Sequence, residues 1–105
     1  SPFEAEVARV LGRLGYRWQA QVGVAGYFID LGIYHPDHPE TFLLGIECDG
    51  ASYHSSRIAR DRDRLREEVL RARGWRLHRI WSTDWFTNKG LESNRLEEAI
   101  RRAVG

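Results

Sequence analysis

The sequence is short of several things, and each shortage narrows what the chain can be. It has one cysteine, Cys48, so no internal disulfide can form, and no CxxC pair exists to hold a structural zinc. A reducing, intracellular and cytoplasmic setting is expected. No apolar run approaches the roughly 20 residues that cross a bilayer, and no stretch has the layout of a signal peptide, so a membrane is not among the expected partners. Three prolines in 105 residues do not make a linker or a disordered tail. Methionine is absent and the first residue is Ser1; residues 1–105 read as a single domain that is a piece of a longer protein. Lysine occurs once, at Lys89, and the other basic residues are all arginine, whose planar fork suits phosphate oxygens.

What is present suffices for one folded core, since 42% of the residues are hydrophobic and 30% charged. The net charge of +1 conceals a segregation along the chain. Residues 1–56 carry three Arg against seven acids, residues 57–79 nine Arg against four acids, and residues 80–105 four of each sign. An acidic half therefore precedes a basic helix.

Phe3, Val7, Val10, Leu11 and Leu14 recur at helical spacing, with Ser1-Pro2 at the start and Gly15 at the end, which predicts an amphipathic helix over residues 2–14. Alternation and β-branched or aromatic residues then predict strands over 16–22, 27–34 and 42–48, separated by turns at 23–26 and 35–40. Residues 55–73 form the longest helical candidate, capped by Ser55 or Ser56 and stopped by Gly74, with Ile58, Leu65, Val69 and Ala72 as its apolar stripe. A fourth strand over 75–81 and a helix over 91–104 complete the order αβββαβα, an α/β fold with a mixed sheet flanked by helices. The helical link between the third and fourth strands predicts that they run parallel.

Asp30, Glu47 and Asp49 stand out because carboxylates are rarely buried in strands without a partner or an ion. On neighbouring strands, Asp30 and Glu47 can converge on one cation, and oxygen ligands suit Mg²⁺ or Mn²⁺ rather than zinc. Glu47 and Asp49 share one strand face. The Cys48 side chain then points away, leaving its backbone carbonyl near the ion. The competing reading pairs Asp30 and Glu47 with arginines of the long helix and leaves Asp49 to open the turn at Gly50. His54 follows at the mouth of that helix, where it can hold or activate a water. His35 and His38 read as surface residues, His78 as structural, and the four tryptophans as packing.

A helical Glu, the Ile29-Asp30-Leu31 strand, the Ile46-Glu47-Cys48-Asp49-Gly50 strand and His54, in that order, resemble the PD-(D/E)XK nuclease superfamily, with its restriction-endonuclease-like core, and within it the very-short-patch-repair-like branch. Asp63 and Arg66 before Leu70 and Gly74-Trp75, and the run Arg79-Ile80-Trp81-Ser82-Thr83-Asp84-Trp85, add to it. The combined pattern is similar to the endonuclease-like module at the C-terminus of large superfamily-1 helicase-related proteins. The resemblance implies that Asp30 and Glu47 bind metal, and that Glu4, or failing it Glu6, adds an outer contact. Asp49 stands where the superfamily usually has a lysine, so the resemblance gives His54 the water-orienting role and leaves Asp49 as a third ligand. It implies cleavage of DNA phosphodiester bonds in repair or defence, with helicase domains of the same longer chain, or a second copy of the domain, as partners. The alternative is a DNA-binding or docking module without turnover. Arg57, Arg60, Arg64 and Arg71 avoid the apolar stripe and are the expected phosphate contacts, although Arg60 to Arg64 with Glu67 and Glu68 can equally form ion pairs within the helix.

Overall fold

The computed structural model describes residues 1–50 and 56–105. Helix α1 spans Pro2–Arg13, and its start is a capping box in which the Ser1 hydroxyl accepts from the Glu4 N–H while the Glu4 carboxylate reaches back to Ser1. Strands β1 (Trp18–Val24) and β2 (Tyr27–Tyr34) follow. The turn between them is tighter than the expected four residues. Ala25 and Gly26, with φ of 52° and 84°, make it alone, in the doubly left-handed form that matches strand twist. Strand β3 is Phe42–Asp49, helix α2 is Arg57–Ala72 and strand β4 is Leu77–Trp81. Ser56 caps α2 by accepting from the Ala59 N–H at 3.0 Å. A short helix α3 (Ser82–Thr87), not expected from periodicity, precedes α4 (Lys89–Val104) and drives Trp85 into the core at 1% exposure. Among the described residues no helix is long and apolar enough to cross a membrane.

The strands lie in the order β1-β2-β3-β4. The first two pairings are antiparallel and β3 with β4 is parallel, as the helical link requires. The larger apolar cluster joins Val7 and Leu11 of α1, Ile46 of β3, Trp85 of α3 and Leu96 and Ile100 of α4. A smaller one joins Val22, Ile29 and Leu70 with Phe42, Trp75 and Leu77. The mixed sheet is thus covered by helices on both faces.

Strict alternation would put Ile29, Leu31 and Ile33 on one face, yet Leu31 and Ile33 join the larger cluster and Ile29 the smaller. The strand turns over at Asp30. Gln21, between the Ala20↔Leu31 and Val22↔Ile29 pairs, has φ of 52°, so the distortion is shared with β1. The paired register of β2 with β3 ends at Leu31↔Ile46. The one charged residue of β2, Asp30, sits where the ladder opens.

Helix α2 corrects one expectation. Ile58 and Leu65, assigned to its buried stripe, are 66% and 55% exposed, and Leu70 is its one fully buried residue. The face turned to the sheet instead carries Asp63 and Arg66, because both have charged partners there. Leu70→Ala is expected to cost about 2–5 kcal/mol, and Leu65→Ala less than about 0.5 kcal/mol, in urea unfolding followed by tryptophan fluorescence. Equal losses for the two would restore the stripe read from periodicity.

Candidate active site

Parity holds along β3. Glu47 and Asp49 are 3% and 9% exposed and face α2, while Cys48 packs against the opposite cluster. Asp30 accepts the Cys48 N–H on Oδ2 at 2.8 Å, so a side chain takes the hydrogen bond that the opened ladder no longer supplies. Its Oδ1 accepts from Gln21 at 3.4 Å. These residues form the floor of a cleft of about 530 Å³ whose walls include Phe28, Arg62 and Arg66.

Two arginines reach into the acids. Arg66 donates from Nη2 to Glu47 Oε2 at 2.9 Å, and its Nη1 lies 2.8 Å from Oε1, an oxygen that is buried and accepts no hydrogen bond. Arg79 of β4 lies 2.7 Å from Asp49 and binds Asp63 of α2 at 2.6 and 3.0 Å. The alternative ion-pair reading is therefore met at Glu47, whereas Asp49 pairs with a strand arginine and Asp30 with amides. Among the described residues, no three side chains of Asp, Glu, His or Cys gather as a ready-made metal cluster.

Burial raises the pKa of Asp30, with the nearby Glu4 carboxyl adding to the effect and the Cys48 N–H opposing it. Burial also raises that of Glu47, against the pull of Arg66. The Cys48 thiol is pushed up by burial and then by the surrounding carboxylates, which disfavours its thiolate. A buried and a half-buried carboxylate whose charged forms are disfavoured gain from a cation, and hard oxygen donors suit Mg²⁺ or Mn²⁺.

A family model of restriction-endonuclease-like domains, REase_MTES_1575, matches residues 3–100. The chain belongs to this family. No curated protein matches it. Among solved structures, the catalytic domain of the homing endonuclease I-Bth0305I has the same fold, with a TM-score of 0.76 and 16% identity over 97% of this chain and 96% of that one. The restriction-endonuclease-like domain is thus established as the architecture, in the order expected plus α3.

Within that architecture Asp30, Glu47 and Asp49 meet in one cleft, and Glu4 lies close enough to act on Asp30. Glu6, the fallback, is turned elsewhere: it accepts from Trp85 Nε1 at 3.1 Å and pairs with Lys89 at 2.7 Å. His54 lies outside the described residues. Arg57, Arg60, Arg64 and Arg71 are all exposed on α2, Arg64 within 4.0 Å of Glu68 and Arg71 held by Glu67 at 3.0 Å. Arg62, Arg66 and Arg79 were missed as site residues. The available signal was the row Asp63, Arg66 and Leu70, which continues at helical spacing once Leu70 is taken as the buried anchor.

The raised pKa of Asp30 has a consequence for stability. A carboxyl that binds its proton more tightly when folded stabilises the fold at low pH, and that contribution is lost as pH rises from its ordinary value of 3.8 through the raised folded value. Asp30→Asn is therefore expected to raise the melting temperature at about pH 8 and to lose that advantage by about pH 4. A gain independent of pH would assign the effect to something other than the buried charge.

Proposed function

We propose that the domain is a metal-dependent nuclease that hydrolyses phosphodiester bonds of DNA. The observation that carries this reading is a half-buried Asp30 beside the buried Glu47 in a cleft walled by arginine, with the charged forms of both disfavoured. Asp30, Glu47 and the Cys48 backbone carbonyl would hold Mg²⁺ or Mn²⁺, with Glu4 as an outer contact. When bound, such an ion lowers the pKa of a water and neutralises charge on a phosphate. Asp49, tied to Arg79, stiffens the end of β3 next to Glu47. Arg62 in the cleft and Arg57, Arg60 and Arg64 along α2 draw in and align the phosphate backbone. His54 is the proposed group that orients or deprotonates the attacking water.

A module of this kind is suited to a longer chain that opens DNA, and the resemblance noted above supports helicase domains as its neighbours, in repair or defence inside the cell. Cutting both strands would call for a second copy. Incubation with duplex and single-stranded DNA and Mn²⁺ is expected to give cleavage that falls about 100-fold or more in Asp30→Ala and Glu47→Ala. Cleavage that survives both changes would remove the assignment.

A second reading, DNA docking without turnover, is favoured by one feature: Asp49 stands at the usual lysine position and is already paired. It predicts binding without cleavage. In either case Arg60→Ala with Arg64→Ala should weaken DNA binding across sequences and flatten its salt dependence by about one to two units of slope. An unchanged slope would place the interface elsewhere.

A further inference from the structure

Glu47 is the carboxylate the metal-dependent reading needs most and the one already most firmly engaged. Both of its oxygens face the Arg66 guanidinium, at 2.8 and 2.9 Å. Only the Nη2–Oε2 contact is a hydrogen bond; Oε1 is buried and accepts none, so charge rather than a second hydrogen bond holds that end of the pair. The two side chains are only 4% and 18% exposed, so water does little to weaken it. Arg66 also donates to the Phe28 carbonyl, which anchors the guanidinium to the β1–β2 hairpin, and it is near enough to feel the charge of Asp30. A divalent ion shared by Asp30 and Glu47 would stand against a guanidinium in the same buried space.

We propose that Arg66 is a displaceable stand-in for the metal: it neutralises Glu47 in the metal-free protein, and metal loading is an exchange in which Arg66 releases Glu47. The inference rests on the metal-dependent reading of the site. Without a counter-cation a carboxylate buried this deeply would destabilise the fold, so the metal-free domain needs such a group. The exchange makes metal binding weaker than the ligand set alone would give, because the ion must overcome an existing pair. A released Arg66 stays in the cleft beside Arg62, where a phosphate gives it a new anionic partner. DNA and metal should therefore reinforce each other's binding, and by linkage equally in both directions.

The test is calorimetric titration of Mn²⁺, without DNA, into the wild-type domain, Arg66→Gln, Arg66→Lys and Arg62→Gln. Arg66→Gln is expected to bind Mn²⁺ about tenfold or more tightly than wild type. Arg66→Lys keeps the charge but loses the fork, so it should bind more tightly than wild type and less tightly than Arg66→Gln. Should Arg66→Gln fail to fold, the lysine variant decides. Arg62→Gln removes a cleft arginine that does not grip Glu47 and should change affinity little; an equal gain there would reduce the effect to general charge repulsion and overturn the exchange. Mn²⁺ binding to wild type that is unchanged or weakened in both Arg66 variants would overturn it too, and would make Arg66 a group that holds Glu47 in place for the ion. If none of the four proteins binds Mn²⁺, the metal-dependent reading fails and the exchange fails with it.

Discussion

The Glu47–Arg66 ion pair sets the position of the helix, the shape of the cleft and the state of the site together. A carboxylate left 3% exposed on a sheet face has to be compensated where it stands. Arg66 does this from α2, and in doing so it fixes which face of the helix meets the sheet. Arg79 repeats the device from the other side, binding Asp49 on its neighbouring strand and Asp63 on α2. The helix thus docks through charge at its centre and through Leu70 near its end. That is why Ile58 and Leu65 can remain in solvent. It also means Glu47 cannot be removed as though it were independent of the fold, since its loss leaves Arg66 without its carboxylate, whereas Arg79 would keep Asp63 if Asp49 were lost.

Much of the architecture was legible because it follows from alternation and end signals. The three consecutive strands, the shared face of Glu47 and Asp49 and the parallel β3–β4 pairing all come from the period of two and from a helical link. Helix α3 was not legible because six residues are too few for a helical period to show. The orientation of α2 was hidden for a different reason. Periodicity assigns apolar residues inward and charged residues outward, and that rule fails where the charged residues have partners on the sheet. The partners of Asp63 and Arg66 are Arg79 and Glu47, 16 and 19 positions away. No pattern local to the helix contains that information.

The environment of Asp30 was legible in identity and hidden in geometry. A lone acid between Ile29 and Leu31 was enough to single it out. What could not be read was that β2 turns over at this residue, so that Glu4 of α1 acts on it from one side while Gln21 and the cleft lie on the other. The same distortion explains why the Cys48 N–H points at a carboxylate instead of a strand carbonyl. Local irregularity of this kind is stabilised by contacts made elsewhere in the fold, and it is common beside functional sites.

The position of Asp49 limits how any chemistry here can proceed. The chain's one lysine, Lys89, is held by Glu6 at 2.7 Å on α4, away from the cleft, so no lysine can orient a water beside Glu47. The cations that do line the site are arginines. Burial works against the charged forms of Arg66 and Arg79, yet their hydrogen bonds to Glu47 and Asp63 more than offset it and raise both pKa values. Such groups neutralise and align phosphate but cannot accept a proton. If the domain turns over, proton removal from the attacking water has to fall to a carboxylate with raised proton affinity or to His54. On the proposed exchange, Arg66 would hold Glu47 when the cleft is without metal and a phosphate when it is engaged.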